Sequence, residues 1–310
     1  MMRCRSRAGH RCRRALAVIV ALLATGAASA AALSESAVQV PITMDTAAHG
    51  RVARPVTVFI VRDQAIRRAP YLVLLHGRPP DAAGRIALGL QTYPANARYF
   101  AEHGFVVLIP TRIGYGVTGG PDLEYTGPCE AKEFRAGIAA ALEETKAVIA
   151  FAAALPYVDT QRGLVVGESF GGLVAVASAA DALPGLRGAV NVSGGDGGDS
   201  LNHVDQPCQP DRLADLLREW GAHTRLPTLW LYSANDRFWG PTVPTTWFRA
   251  FRAAGGQGEF VSLPADKNNG HFIFTRNAPA WHPAFESFVT RLGFAAPAAS
   301  PSGGATVSTP

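Results

Sequence analysis

Apolar residues recur along this chain in two rhythms. Ala37 to Met44 and Pro55 to Val61 partly alternate apolar with polar side chains, which predicts an opening antiparallel pair of strands. Tyr71 to Leu75, Phe105 to Ile109 and Gly163 to Val166 are continuous apolar runs, as expected of strands buried on both faces. Ala189 to Val192, Thr228 to Tyr232 and Phe260 to Leu263 bring the series to eight. The second rhythm is helical. One helical stretch ends around Tyr99 to Glu102 and is closed by Gly104. The longest covers residues 129–155, with Phe134, Ile138, Leu142, Val148, Ile149 and Phe151 as its core positions. Gly172 to Ala180 reads as a buried helix, and further helices fit Asp211 to Trp220, Thr245 to Ala254 and Trp281 to Leu292. Strands alternating with helices imply an α/β chain whose mostly parallel, eight-stranded sheet is covered by helices on both faces.

The two ends read differently. Arg3, Arg5, Arg7, Arg11, Arg13 and Arg14 form a basic segment, Ala15 to Leu23 an apolar run, and Ala28-Ser29-Ala30 a small-residue cleavage site. Residues 1–30 are therefore read as a signal peptide. The run is too short for a membrane span, which needs about 20 apolar residues. Residues 295–310, rich in Ala, Pro, Ser, Gly and Thr, cannot bury a core and are expected to be disordered. That leaves residues 31–294 as the folded domain.

Setting the leader aside changes the charge picture. The whole chain of 310 residues is formally +5, and losing six arginines leaves −1, so the basic footprint of a nucleic-acid surface is missing. Cys4 and Cys12 leave with the leader. Cys129 and Cys208 remain, and in an oxidising compartment they are expected to pair as a disulfide, two free thiols being the alternative. No lipid-attachment cysteine follows the apolar run, so no stable membrane anchor is expected.

Chemistry concentrates at Gly167-Glu168-Ser169-Phe170-Gly171, between an apolar strand and a small-residue helix. G-x-S-x-G in that setting lifts a serine hydroxyl above the sheet on a tight turn. Asp236 lies just past the seventh strand and His271 a loop past the eighth, so both reach the same sheet edge as Ser169. They are the candidate orienting acid and base. Asp196 and Asp199, after the sixth strand, are second-choice acids. His223 precedes a strand and faces the wrong edge, and His282 opens the last helix and fits less well. Two backbone N–H groups, of Phe170 at the start of its helix and of Arg78 in His76-Gly77-Arg78-Pro79-Pro80, are candidates for an oxyanion hole. The Arg78 side chain is expected in solvent, or against a substrate carboxylate. Tyr115, Tyr125, Phe170, Phe238, Trp239 and Phe272 are candidates to line a pocket. No phosphate-binding glycine loop and no clustered metal-ligand set is present in the sequence, so no cofactor or metal is implied.

His76-Gly77-x-Pro79, Arg112-x-Gly114-Tyr115-Gly116, Gly-x-Ser169-x-Gly-Gly172, Asp236 and His271 together resemble the α/β-hydrolase superfamily over roughly residues 37–293. Within it, the small layout resembles dienelactone-hydrolase-like and prolyl-oligopeptidase-like esterases. Dienelactone hydrolases proper carry cysteine as nucleophile, where this chain has Ser169. The resemblance implies the triad order serine, acid, histidine, and a secreted serine hydrolase acting on a small-molecule ester. The short segment Gly194 to Pro210 implies no large cap. A peptidase, an acyltransferase and a non-catalytic binding module on the same fold are the alternatives.

Overall fold

In the computed structural model, residues 33–46 and 48–294 are described; the leader and the tail lie outside them. Eight strands occur among these residues: β1 (Leu33–Thr46), β2 (Gly50–Asp63), β3 (Ala69–Leu75), β4 (Val106–Thr111), β5 (Val158–Glu168), β6 (Leu186–Val192), β7 (Thr228–Ser233) and β8 (Gly258–Leu263). They form one sheet in the order β1-β2-β4-β3-β5-β6-β7-β8. β1 pairs with β2, and β2 with β4, in antiparallel fashion; every later pairing is parallel. The partial alternation read in β1 is real, since Val40, Ile42 and Met44 are buried between exposed neighbours.

The helices are α1 (Ala82–Ala87), α2 (Pro94–Glu102), α3 (Phe134–Ala153), α4 (Phe170–Ala180), α5 (Pro210–His223), α6 (Val243–Ala253), α7 (Ile273–Arg276) and α8 (Ala278–Arg291). Side chains that alternate along a strand feed two separate cores. Trp230 and Tyr232 of β7 join Leu173 of α4, Leu217 of α5 and Phe251 of α6 in one core. Leu229 and Leu231 of the same strand join Phe100 of α2 and Trp281 and Phe285 of α8 in the other. This is why the central strands read as unbroken apolar runs.

One expectation needs correction. The long helix does not begin at residue 129: Cys129–Ala131 is a single 3-10 turn, and α3 starts only at Phe134. Of its expected core, Phe134, Ile138, Val148 and Ile149 are buried, whereas Leu142 and Phe151 are only partly so. Cys129 is bonded to Cys208 across 79 residues, which ties that turn to the segment ahead of α5 and away from a helical path. The helical stretch expected to end near Glu102 is α2, which is preceded by the short α1 and entered through the strained Tyr93.

Loops at the carboxyl ends of β3 to β8 converge on one edge. The segment between β6 and α5 contains no helix or extended strand, so no large cap covers that edge.

Candidate active site

β5 ends at Glu168, and Ser169 turns the chain into α4 with φ 56° and ψ −123°, a conformation that L-residues rarely adopt. Packing explains the flanking glycines. A Cβ on Gly167 would fall 2.0 Å from the Gly171 carbonyl oxygen, and one on Gly171 would fall 2.4 Å from that of Leu75. The turn is thus closed around backbone atoms, and α4 starts with Phe170, whose N–H, at the first position of the helix, has no partner within it.

The base and acid candidates meet. His271 Nδ1 lies 2.9 Å and 3.1 Å from the two carboxylate oxygens of Asp236, and both residues are buried. Their loops are stitched together by Asn269, whose Oδ1 accepts the N–H groups of Arg237 and His271, each at 3.1 Å. Asn235 adds a second stitch, its Oδ1 accepting the Asp266 N–H at 2.9 Å. Phe238 lies over the imidazole with ring centroids 4.1 Å apart, and Trp239 and Phe272 approach within 5.5 Å and 5.3 Å. With Nδ1 directed at Asp236, Nε2 is the nitrogen left to act. Ser169 and His271 line the same cavity, although the Ser169 hydroxyl makes no side-chain hydrogen bond among the described residues. Such bonds commonly tighten only once substrate is in place.

The other candidates separate from this group. Asp196 accepts a hydrogen bond from Thr126 and faces Lys132 at 3.9 Å. Asp199 accepts the N–H groups of Leu201 and Asn202 in an exposed turn. His223 is exposed at the end of α5, and His282 stacks on Tyr99 with centroids 3.6 Å apart.

The loop after β3 is held from beneath. The Arg112 N–H donates to His76 Nε2 at 3.2 Å, so Nδ1 carries the proton and donates to the Gly77 carbonyl at 2.7 Å. Burial and the nearby Arg112 charge push the His76 imidazole well below its ordinary value, which keeps it neutral in this tautomer. A trans peptide points its carbonyl and N–H in opposite directions. The Arg78 N–H is therefore turned away from the His76 ring. Gly77 abuts the nucleophile candidate: a Cβ there would sit 3.1 Å from that of Ser169.

The Arg78 side chain is neither in solvent nor free for a substrate. It makes two hydrogen bonds of 2.7 Å to Asp122 and a third of 3.0 Å to the Tyr115 hydroxyl. Tyr115 is fully buried beneath the site, hydrogen-bonded to Glu124, and lines neither chamber at Ser169. Glu124 in turn pairs with the buried Arg112. Two such charges out of water require each other, and removing one partner leaves an uncompensated charge.

Glu144 completes this layer from α3, accepting the Ile113 N–H at 2.9 Å. Burial, and then the neighbouring Glu124 charge, push its carboxyl from 4.5 up to about 8. The folded chain thus keeps a proton that the unfolded chain has released across that interval. This group's contribution to stability falls as pH rises from about 5 to about 8. Thermal midpoints of Glu144→Gln, which cannot ionise, are expected to gain on those of the parent over that range. A variant midpoint that falls relative to the parent's as pH rises would contradict the assignment.

Two chambers open on either side of Ser169. One, of about 440 Å³, has a polar wall of Arg85, Asp122, Lys132 and Asp196, with Tyr125, Phe170, Trp239 and the Cys129–Cys208 bridge. The other, of about 350 Å³, is lined by Pro79, Leu88, Tyr93, Phe272 and His271. Arg78, Pro80, Ser169 and Phe238 border both. Among the described residues, no group of three or more His, Cys, Asp or Glu side chains is placed to hold a metal.

This architecture has a family. The chain belongs to the α/β hydrolase family, whose model matches residues 72–302. Solved structures of the same fold include the acetyl xylan esterase of Paenibacillus sp. R4, with TM-score 0.54 and 17% identity over 84% of this chain and 89% of that one. A dienelactone-hydrolase-like promiscuous phosphotriesterase from metagenomic libraries matches with TM-score 0.53 and 16% identity, over 84% of this chain and 98% of that one. The acylaminoacyl peptidase of Pyrococcus horikoshii matches with TM-score 0.55 and 10% identity, covering 87% of this chain but 43% of the peptidase. No curated protein sequence matches the chain. Identities this low carry the fold and leave activity to be argued from the site.

Sequence reading passed over Glu168 and Tyr93. Glu168 fills the variable position of the elbow motif, and its partner Tyr93 lies 75 residues away. The signal that could have found it was a carboxylate inside an otherwise apolar strand end.

Proposed function

We propose that the chain is an exported serine hydrolase that cleaves a carboxylic ester by acyl transfer. Ser169 attacks the ester carbonyl while His271 Nε2 takes its proton, and Asp236 holds the imidazole and offsets its charge. The tetrahedral oxyanion is received by the N–H groups of Phe170 and Arg78. Collapse breaks the ester C–O bond, and His271 returns the proton to the departing alcohol. Water then attacks the acyl-serine, giving its proton to His271, and the second collapse restores Ser169 and frees the acid.

The observation that carries this reading is the strained Ser169 at the start of α4, sharing one chamber with an imidazole whose other nitrogen is tied to a buried carboxylate. The orientation of the Arg78 N–H, away from His76, supports its role in the oxyanion hole. A polar chamber on one side of Ser169 and an apolar one on the other favour an ester with one polar and one apolar half. Acetylated carbohydrate, the substrate class in the name of the Paenibacillus relative, belongs in the test panel.

A fluorophosphonate probe is expected to form one adduct, on the peptide bearing Ser169, and to stop hydrolysis of p-nitrophenyl acetate in proportion. Hydrolysis that continues after complete labelling, or an adduct elsewhere, refutes the proposal. Export is supported by the leader pattern and by the Cys129–Cys208 bridge. Among the described residues, no helix is long and apolar enough to cross a membrane. Amino-terminal sequencing of the protein recovered outside the cytoplasm is expected to begin just after Ala30.

A further inference from the structure

Glu168 immediately precedes Ser169, yet its side chain leaves the elbow and is 8% exposed. Its Oε2 accepts a hydrogen bond of 2.9 Å from the Tyr93 hydroxyl, and its Oε1 has no hydrogen-bond partner among the described residues. No lysine or arginine comes within ion-pair distance of it there. The groups that act on it are Tyr93, His271, Arg276 and Asp236. Tyr93 is itself unusual: it sits at φ 43° and ψ 56°, a left-handed conformation in a non-glycine residue, directly before α2. Its hydroxyl also faces the Gly77 backbone. A strained backbone of this kind persists only where surrounding contacts enforce it.

We propose that Tyr93 and Glu168 form a positioning pair, in which the Glu168 side chain accepts the Tyr93 hydroxyl and so fixes the segment from Gly77 to Tyr93 against the nucleophile elbow. The inference rests on the serine-hydrolase reading above and adds two residues to it. Geometry supplies the logic. The segment that starts with His76-Gly77-Arg78 ends at Tyr93, and the elbow starts at Glu168, so one hydrogen bond joins the far end of the first to the root of the second. Burial pushes the Glu168 carboxyl up, with the Tyr93 hydroxyl and the Arg276 charge opposing that rise. What the Tyr93 hydroxyl needs there is an acceptor oxygen. Holding the Arg78 N–H at the correct distance from the oxyanion matters in the transition state rather than in the substrate complex, so the effect falls on kcat.

Three variants test it. Tyr93→Phe removes the donor, Glu168→Leu removes the acceptor, and Glu168→Gln keeps an acceptor oxygen on a side chain of the same shape. Loss of one such bond is expected to lower kcat for p-nitrophenyl acetate about tenfold in Tyr93→Phe and in Glu168→Leu, with KM nearly unchanged. The Tyr93→Phe/Glu168→Leu double variant is expected to fall no further than either single one. Glu168→Gln is expected to keep kcat within about threefold of the parent, well short of the loss of one bond. A Glu168→Gln variant as impaired as Glu168→Leu would show that an acceptor oxygen in that place does not suffice and overturn the proposal. So would a Tyr93→Phe variant that lowers only the thermal midpoint while kcat stands. A parent chain that neither takes the fluorophosphonate label nor hydrolyses esters removes the underlying reading and this one with it. An active, labelled parent with the pattern broken removes this one alone.

Discussion

Ser169→Gly is expected to erase hydrolysis of p-nitrophenyl acetate and, at the same time, to make the protein more stable. The two effects share one cause. Ser169 occupies φ 56° and ψ −123°, which strains any residue carrying a Cβ and suits glycine. Relief of that strain is worth about 1 kcal/mol, the low end of the range for such positions. In a domain of this size that corresponds to roughly 2–4 °C in the thermal midpoint. Ser169→Ala is the control, since it loses the nucleophile and keeps the Cβ. Its activity is expected to fall at least about 10⁴-fold, as when a triad serine is removed, with the midpoint unchanged. Retained activity in either variant would dispose of Ser169 as nucleophile. A midpoint that drops in the glycine variant would dispose of the strain argument while leaving the chemistry standing.

Removing the Cys129–Cys208 bridge is expected to have the largest effect on stability. The bond closes a loop of 79 residues that contains α3, the nucleophile elbow, α4 and β6. On the chain-entropy account a loop of that length contributes about 4.5 kcal/mol by restricting the unfolded chain. The Cys129→Ser/Cys208→Ser protein is therefore expected to melt roughly 10 °C below the parent. Parent protein unfolded in the presence of a strong reductant should melt like the variant. Identical midpoints for bridged and unbridged protein would show that the unfolded chain gains nothing from the cut. Because the bridge also walls the polar chamber, KM for esters with a bulky polar half is expected to rise more than KM for p-nitrophenyl acetate.

The sheet was largely legible in the sequence because burial on both faces leaves a direct trace: runs such as Tyr71 to Leu75 have no polar interruption to hide them. That Ser169, Asp236 and His271 lie at one edge was legible for a related reason, since parallel strands deliver their following loops there. Side-chain partners were not. Arg78 read as a solvated or substrate-facing cation, but its true partners, Asp122 and Tyr115, lie in a loop 37 and more residues further on. Tyr115 read as a pocket wall and proved to be a buried support, because nothing local announces that Glu124 and Arg112 are waiting for it. The stretch 129–133 has a composition compatible with helix, and only the covalent tie to Cys208 redirects it.

The order in which the site's parts occur along the chain has a consequence for when activity can begin. Ser169 sits near the middle of the sequence, Asp236 follows β7, and His271 arrives only after β8, the edge strand of the sheet. A chain growing or threading from its amino end therefore presents a complete elbow with no imidazole beside it. On the proposed reading, hydrolysis needs β8 paired with β7, since the loop that follows β8 carries His271 to the cleft. If Ser169 and His271 act as proposed, a fragment ending before Asn269 is expected to be inactive whether or not its elbow forms.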